Sequence, residues 1–598
     1  ATGRAISLRN DTGYRMRVFL RRHRWSASAA AVAIVALLGT TGWALWQTRL
    51  ATERAEIAKR EATAAESITQ LLMSSFEAID PAYINQAGAE PTARNVLDAG
   101  AARAGKELAR TPDLLARVHL MLGRTYMNLR ADDKAVELLS AAAQGYARED
   151  VNQPEKQLDA LSLLAQAEQN RGEYTKAVEL SRRVLALGEK LNHSAEDIAN
   201  GHNVLGMTLI SALRYDEADL SLLRAQTMLA RIHGDPSEQV ASVINNRGVL
   251  ATAAGRPREG AELLRQALAM RTQVEAKQAN LFATRSLLAL AMAKAGRLAE
   301  AEAILSQSAE QAPAVYPGDD VRLARALQRL ATVRRERGDL AGAQDSGEQA
   351  IIANARGENP RNPIMAQANL TLAEALELRG DIDGAARAYR TAEEIMNQQA
   401  DASRARFKLQ AIASHEIFLA RHGRDGASPE RAEKALMDWI AMFGRPAAQV
   451  AEDLAPARLL LAELRLMQGR PDAAEAALFA EAAAAEQPMV QARRRYWQAR
   501  IHAERGDASA ALAEYARAIG QAEDTAGPGM AHAALWRLDY VEQLAKAGRM
   551  AEARKQYALA QPALAAQLLP VAPSHARMKL LAQAIAARRP SGLKVAFN

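Results

Sequence analysis

The sequence predicts an all-α protein: a right-handed solenoid of about eleven antiparallel helix pairs, preceded by one transmembrane helix and a helical stalk. Three observations predict it. Glycine-marked turns recur at a near-constant spacing through most of the 598 residues. Ala, Leu, Glu and Arg dominate and aromatic residues make up only 4%, the palette of stacked helices rather than of a β-rich or α/β enzyme. Ahead of the repeats, Trp25 to Trp46 runs for 22 residues without a charge.

The chain begins at Ala1 rather than Met, so a processed or partial polypeptide is expected. Residues 1–24 form a basic stub with seven Arg and one Asp, which accounts for +6 of the net charge of +7. The body that follows is nearly neutral, which argues against a nucleic-acid partner. Cysteine is absent, excluding disulfides and Cys-ligated metal sites. Residues 25–46 are long enough for a hydrocarbon core that needs about 20 apolar residues of helix. Trp25, Trp43 and Trp46 lie at its edges, where indoles favour the interface. The expected partner of this run is the lipid bilayer. The Arg cluster before it predicts a cytoplasmic N-terminus, a cytoplasmic (inner) membrane location and a periplasmic body.

Residues 47–80 read as a helical stalk without Gly or internal Pro, ended by Asp80-Pro81. Leu50, Ile57, Ala64 and Leu71 recur every seven residues, a seam through which a homodimer could form. The companion positions Glu53, Arg60 and Ser67 are polar, so a solvated stalk is the simpler expectation. Residues 81–110 are a linker and a first helix, 111–590 the solenoid, and 591–598 a tail.

Within the solenoid, the turn position falls at 130, 172, 213, 255, 296, 338 and 380, in steps of 41 or 42. It is glycine at all but Arg130 and Leu213. The register loosens at Gly423, where Gly426-Ala427-Ser428-Pro429 looks inserted, and resumes at Gly469, Gly506 and Gly548. A small residue lies seven before the turn (Gly123, Ala165, Gly206, Gly248, Ala289, Ala331, Ala373, Ala462, Ala499) and another five after it (Ala135 through Ala553). A bulkier residue follows four later, as at Leu139, Leu222, Leu264, Leu305, Tyr389 and Tyr515. Two antiparallel helices can approach closely only where side chains are small, and glycine supplies the left-handed residue that ends the first helix.

This pattern resembles the tetratricopeptide repeat (TPR), best seen in Leu122-Gly123, Tyr126, Ala135, Leu139 and Ala142. The usual period is about 34 residues. The longer period here, with His202-Asn203-Val204-Leu205-Gly206 and Ile244-Asn245-Asn246-Arg247-Gly248, resembles the subclass found in kinesin light chains.

No catalytic constellation is found. Gly100 to Lys106 nearly spells a P-loop, but Glu107 replaces the Ser or Thr and no strand precedes it. His415-Glu416 opens like a zincin motif, but Leu419 stands where the second His belongs. No enzyme activity, metal or cofactor is expected. What remains is a binding surface: first helices of stacked pairs line a concave face. Residues three before the first small position, or one and five after it, would point there. This selects Arg124, Asn128, Asn203 and Asn245 as contacts for a protein or peptide ligand, since Asn side chains can bond a peptide backbone.

A second resemblance covers roughly residues 13–145. Gly13 to Arg24 with the apolar run, Ser67-Ile68-Thr69-Gln70-Leu71-Leu72 and Thr92 to Gly100 resemble the juxtamembrane link and opening repeat segment of proteobacterial membrane serine/threonine protein kinases. The resemblance implies a kinase domain ahead of Ala1, with these repeats as its extracytoplasmic sensory or docking arm. The alternative is an envelope assembly scaffold with no signalling role.

Overall fold

The computed structural model describes residues 93–129, 131–357, 361–398, 405–442, 451–479 and 487–587, and nearer the N-terminus a helical stretch over 35–52 with isolated helical residues around it. The chain divides into two compact units: Ala1–Leu122 with Gln144–Asn152, and Gly123–Ala143 with Gln153–Asn598.

Among the described residues, α1 (Ala93–Glu107) precedes eleven helix pairs. The first five pairs are α2 (Pro112–Asn128) with α3 (Asp132–Ala147), α4 (Pro154–Asn170) with α5 (Tyr174–Lys190), α6 (Ala195–Ser211) with α7 (Tyr215–His233), α8 (Glu238–Ala253) with α9 (Pro257–Gln273), and α10 (Gln278–Lys294) with α11 (Leu298–Val315). The next three are α12 (Asp320–Arg337) with α13 (Leu340–Ala355), α14 (Pro363–Arg379) with α15 (Ile382–Asn397), and α16 (Ala405–Arg421) with α17 (Pro429–Ala441). The last three are α18 (Ala451–Met467) with α19 (Pro471–Phe479), α20 (Pro488–Glu504) with α21 (Ala508–Ala526), and α22 (Ala531–Lys546) with α23 (Met550–Gln567). A final helix, α24 (Pro573–Ala587), follows.

In the first unit, a Cβ at Gly145 of α3 would stand 2.8 Å from Ala116 Cβ of α2, so this crossing is also built on small residues. In the second unit the small positions do what their spacing predicts. Ala135, Ala177, Ala218, Ala301, Ala343, Ala385, Ala474, Ala511 and Ala553 are fully buried. The bulky residue lies over the facing glycine. A Cβ at Gly123 would stand 2.7 Å from Leu139 Cγ, and at Gly206 or Gly248 it would stand 2.6 Å from Leu222 or Leu264 Cγ. Any larger side chain there would force the pair apart.

Turn glycines at 172, 255, 296, 338, 380, 423, 469, 506 and 548 all have positive φ. Leu213 holds the same place with φ 58°, a left-handed conformation that strains an L-residue with a side chain. After several turns an aspartate caps the second helix: Asp339, Asp381 and Asp507 carboxylates accept from the backbone N–H of Gly342, Gly384 and Ala510 at 3.0, 2.8 and 3.1 Å.

The second unit also turns back on itself. Gly296 meets Pro488, Gly338 meets Met530 and Ala531, and Gly380 meets Ala572. Gly296 to Pro488, Gly338 to Met530 and Gly380 to Ala572 are each 192 residues apart, so both contacting stretches keep one period. Polar bonds close the same seam. Leu569 N–H donates to Arg379 O at 2.9 Å, Arg379 Nε to Gln567 O at 3.1 Å, and Leu340 N–H to Gln567 Oε1 at 2.9 Å. A single apolar core accordingly joins Leu288, Met292, Leu330 and Val333 to Met530, Ala534, Trp536, Leu568 and Leu581.

The membrane assignment is corrected. Among the described residues, no helix is long and apolar enough to cross a membrane. This overturns the inner-membrane location with a periplasmic body, and no described helix supports residues 25–46 as a transmembrane helix or the bilayer as a partner. The physical reason lies in composition. The continuous helix over 35–52 carries Gly39, Thr40, Thr41, Gly42, Gln47, Thr48 and Arg49, and these dilute its apolar face. Positions 26–28 and 30–34 of that run lie outside the described residues, as do Ile57, Ala64 and Leu71 of the proposed dimer seam.

Candidate functional site

Where the second unit turns back, first helices α12, α14, α16, α18, α20 and α22 and the final helix α24 surround a cavity of about 540 Å³. This lies within the range of about 300–1,000 Å³ that ligand pockets span. Its walls carry five arginines (Arg335, Arg421, Arg493, Arg500, Arg577) against five carboxylates (Glu336, Glu374, Glu377, Glu463, Asp539). Leu378, Leu459, Leu460, Val490, Trp497 and Trp536 supply apolar surface between them.

The charges are arranged as three knots. In the first, Arg335 pairs with Glu374 and lies 2.5 Å from Glu336, which also takes Arg493 at 2.6 Å. In the second, Glu377 pairs with Arg421, accepts from Tyr389 Oη at 3.0 Å and meets His422 Nε2 at 2.8 Å. Arg421 continues to Glu463 at 2.5 Å. In the third, Asp539 takes Arg577 at 2.5 Å and Tyr496 Oη at 2.7 Å, and Arg500 donates to Tyr496 Oη at 3.1 Å. The Tyr496 ring stacks on Trp536 with centroids 4.9 Å apart and planes 14° from parallel.

Electrostatics keep these groups charged. Burial would raise the Glu336 carboxyl, but Arg493 and Arg335 outweigh it and hold the pKa at about 2. Burial is likewise outweighed at Glu377 by Arg421 and His422, again at about 2. Arg577 and Arg500 hold Asp539 below the usual carboxylate range against its burial. His532 goes the other way: burial, and then the neighbouring Arg493 charge, push it down to about 3, so it is neutral. Its Nδ1 has no hydrogen-bond partner among the described residues. A buried pair broken on one side leaves an uncompensated charge, so these knots fix wall geometry more than they add stability.

Arg124 and Asn128 lie exposed on α2. Asn203 of α6 and Asn245 of α8 are joined through Asn246, which donates to Asn203 Oδ1 at 2.9 Å and accepts from Asn245 Nδ2 at 3.3 Å. Asn245 is buried and accepts from Thr284 Oγ1 at 3.1 Å. None of the four lines the cavity. The offsets that selected them do reach the cavity when applied to later repeats. Around Ala331, Ala373, Ala462 and Ala499 they select twelve residues, of which seven (Glu336, Glu374, Leu378, Leu459, Glu463, Tyr496 and Arg500) are on its wall.

No curated protein matches the chain. Among solved structures, kinesin light chain TPR-like repeats from Podosopora anserina are 23% identical, covering 35% of this chain and 99% of that one, with a TM-score of 0.29. BtubC from P. vanneervenii is 20% identical over 44% of this chain and 92% of its own, with a TM-score of 0.28. A Rap protein complexed with competence and sporulation factor is 14% identical over 66% of this chain and 100% of its own, with a TM-score of 0.42. Residues 280–351, from α10 into α13, match the tetratricopeptide repeat family model, and with its stacked helix pairs this is a helical repeat protein of tetratricopeptide type, a build suited to protein–protein interaction.

Proposed function

We propose that the chain is a peptide-binding module whose ligand lies in the cavity walled by α12 to α24. The observation that carries this reading is the wall itself, with ionised groups of both signs, aromatic faces and apolar side chains within one space of about 540 Å³. A short peptide offers the matching set: backbone donors and acceptors, charged ends and apolar side chains. Arg124, Asn128, Asn203 and Asn245 have the corresponding positions on earlier first helices and are assigned as contacts for a protein or peptide outside the cavity. As a finer reading, we infer that the module is the sensory or docking arm of a larger signalling protein. The resemblance of Thr92 to Gly100 to the segment that opens the repeat region of serine/threonine kinases supports it.

The test is selection from a random hexapeptide pool on the full chain and on Gln410→Trp, which places an indole at the cavity wall. The wild type should retain a defined subset of sequences, and Gln410→Trp should lose it at an unchanged melting temperature. Equal retention by both proteins would exclude the cavity as the site.

A further inference from the structure

The seam where the second unit meets itself is built differently on its two sides. Its outer side is satisfied. Gln567, the last residue of α23, sets its side-chain oxygen over the start of α13 and accepts from Leu340 N–H at 2.9 Å and Ala341 N–H at 3.2 Å. Asp339 takes the next donor, Gly342 N–H, at 3.0 Å. The first turn of α13 is thus capped partly by its own chain and partly from across the seam. Leu569 N–H donates to Arg379 O at 2.9 Å, and His575 Nε2 meets the Leu569 carbonyl at 3.1 Å and steadies that loop.

The cavity side is not satisfied. There Glu336 of α12 reaches across to Arg493 of α20 at 2.6 Å. His532 of α22 stands beside this pair and is only 8% exposed. Among the described residues, neither its Nδ1 nor the Nε of Arg335 has a hydrogen-bond partner. A buried polar atom without a partner lacks the bond that water would supply once the seam parted. The seam also joins helix ends rather than helix sides. The turn at Gly296 meets Pro488 and Thr525, that at Gly338 meets Met530 and Ala531, and that at Gly380 meets Ala572. End-on contact removes less apolar surface from water than packing along a helix, so it is cheaper to break.

We propose that the seam is a reversible clasp, which parts between α12–α14 and α20–α24 without unfolding the helices and so opens the cavity along its side. The outer bonds hold the clasp shut, and the orphaned groups on the cavity side favour its release. Parting separates the wall, because α12 and α14 supply it from one edge and α20, α22 and α24 from the other. The clasp is a property of the empty chain and does not depend on what the cavity binds.

The test reads three amides whose hydrogen bonds cross the seam, those of Leu340, Ala341 and Leu569, by hydrogen exchange in the full chain. They should exchange together, at least tenfold faster than the amides of Val333 and Ala560 inside the helices on either side. His532→Leu removes an orphaned group and should slow all three several-fold, although it lies on the cavity side. Gln567→Ala removes the outer latch and should speed Leu569, whose own bond it leaves in place. A second readout follows the cavity. The chain has no cysteine, so Gln410→Cys places a single thiol on the wall. Its modification by a maleimide carrying a long polyethylene glycol chain should be faster in Gln567→Ala and slower in His532→Leu. Seam amides as slow as Val333 would mean that the seam parts only on unfolding. Amides that ignore His532→Leu would mean local fraying at the start of α13 and in the loop before α24. Thiol modification that stays constant while the amides change would mean that the cavity does not open this way. Any of these three results overturns the clasp.

Discussion

His532 shows how one residue couples the cavity to solution conditions. Its imidazole is buried between Glu336, Arg335 and Arg493 in charge terms, and is held neutral at a pKa of about 3 against an ordinary 6.5. In the unfolded chain it gains a proton below pH 6.5, whereas in the folded chain it does not until about pH 3. The unfolded state therefore binds more protons throughout that window, and stability falls as the pH is lowered. Glu336 and Glu377, depressed to about 2 from 4.5, add to the same loss below pH 4.5. Between pH 6.5 and 4.5 the unfolding free energy should fall progressively, by roughly 1 kcal/mol per pH unit from His532 alone. His532→Gln should flatten that slope in denaturant titrations across the window. A parallel slope in the variant would show that His532 is not the group responsible.

Among the elements, the turns separate two uses of glycine that the sequence writes identically. Gly469 has φ 69° and no atom within 4 Å of where a Cβ would sit. Gly380 has φ 93° and would place that Cβ 2.3 Å from Ala572 Cα. Gly469→Ala should thus cost about 1–2 kcal/mol, the penalty of a left-handed L-residue. Gly380→Ala should cost a further 1–3 kcal/mol or so, for prising α14 from the segment before α24. Equal losses by chemical denaturation would refute the close contact. The elements themselves were legible: two small residues and a turn per repeat specify a helix pair, and Leu213 shows that the turn geometry persists where glycine is missing. The aspartate caps were also written in the Arg-Gly-Asp turns, and the side-chain bonds give them their meaning. The apolar run before the repeats misled over location, because absence of charge over 22 residues outweighed the Gly39, Thr40, Thr41 and Gly42 of its second half.

For the second unit as a whole, the return contact decides both stability and site. In a linear array each repeat loses only its neighbour when the end is removed. Here α20 to α24 share a core with α10 and α12, through Leu288, Met292, Leu330 and Val333. Removing residues 488–598 should therefore lower hydrogen-exchange protection in α10 and α12, far along the chain from the cut. Unchanged protection there would mean that the two stretches fold independently. This long-range contact is also why the cavity was not legible. Arg421 and Glu377 are separated by a whole repeat, and Glu336 and Arg493 by 157 residues. No local period records either pairing, although the offset rule already pointed the right faces inward.

The constant 192-residue interval has a consequence for how such a site changes over time. The bore is gauged in whole repeats, because Gly338 reaches Met530 only across a fixed number of intervening helix pairs. Point substitutions can retune the lining but not its calibre. Losing or duplicating one pair between α15 and α19 would shift the bore by a full step while leaving both mating edges in phase, so ligand size is inherited here as an integer.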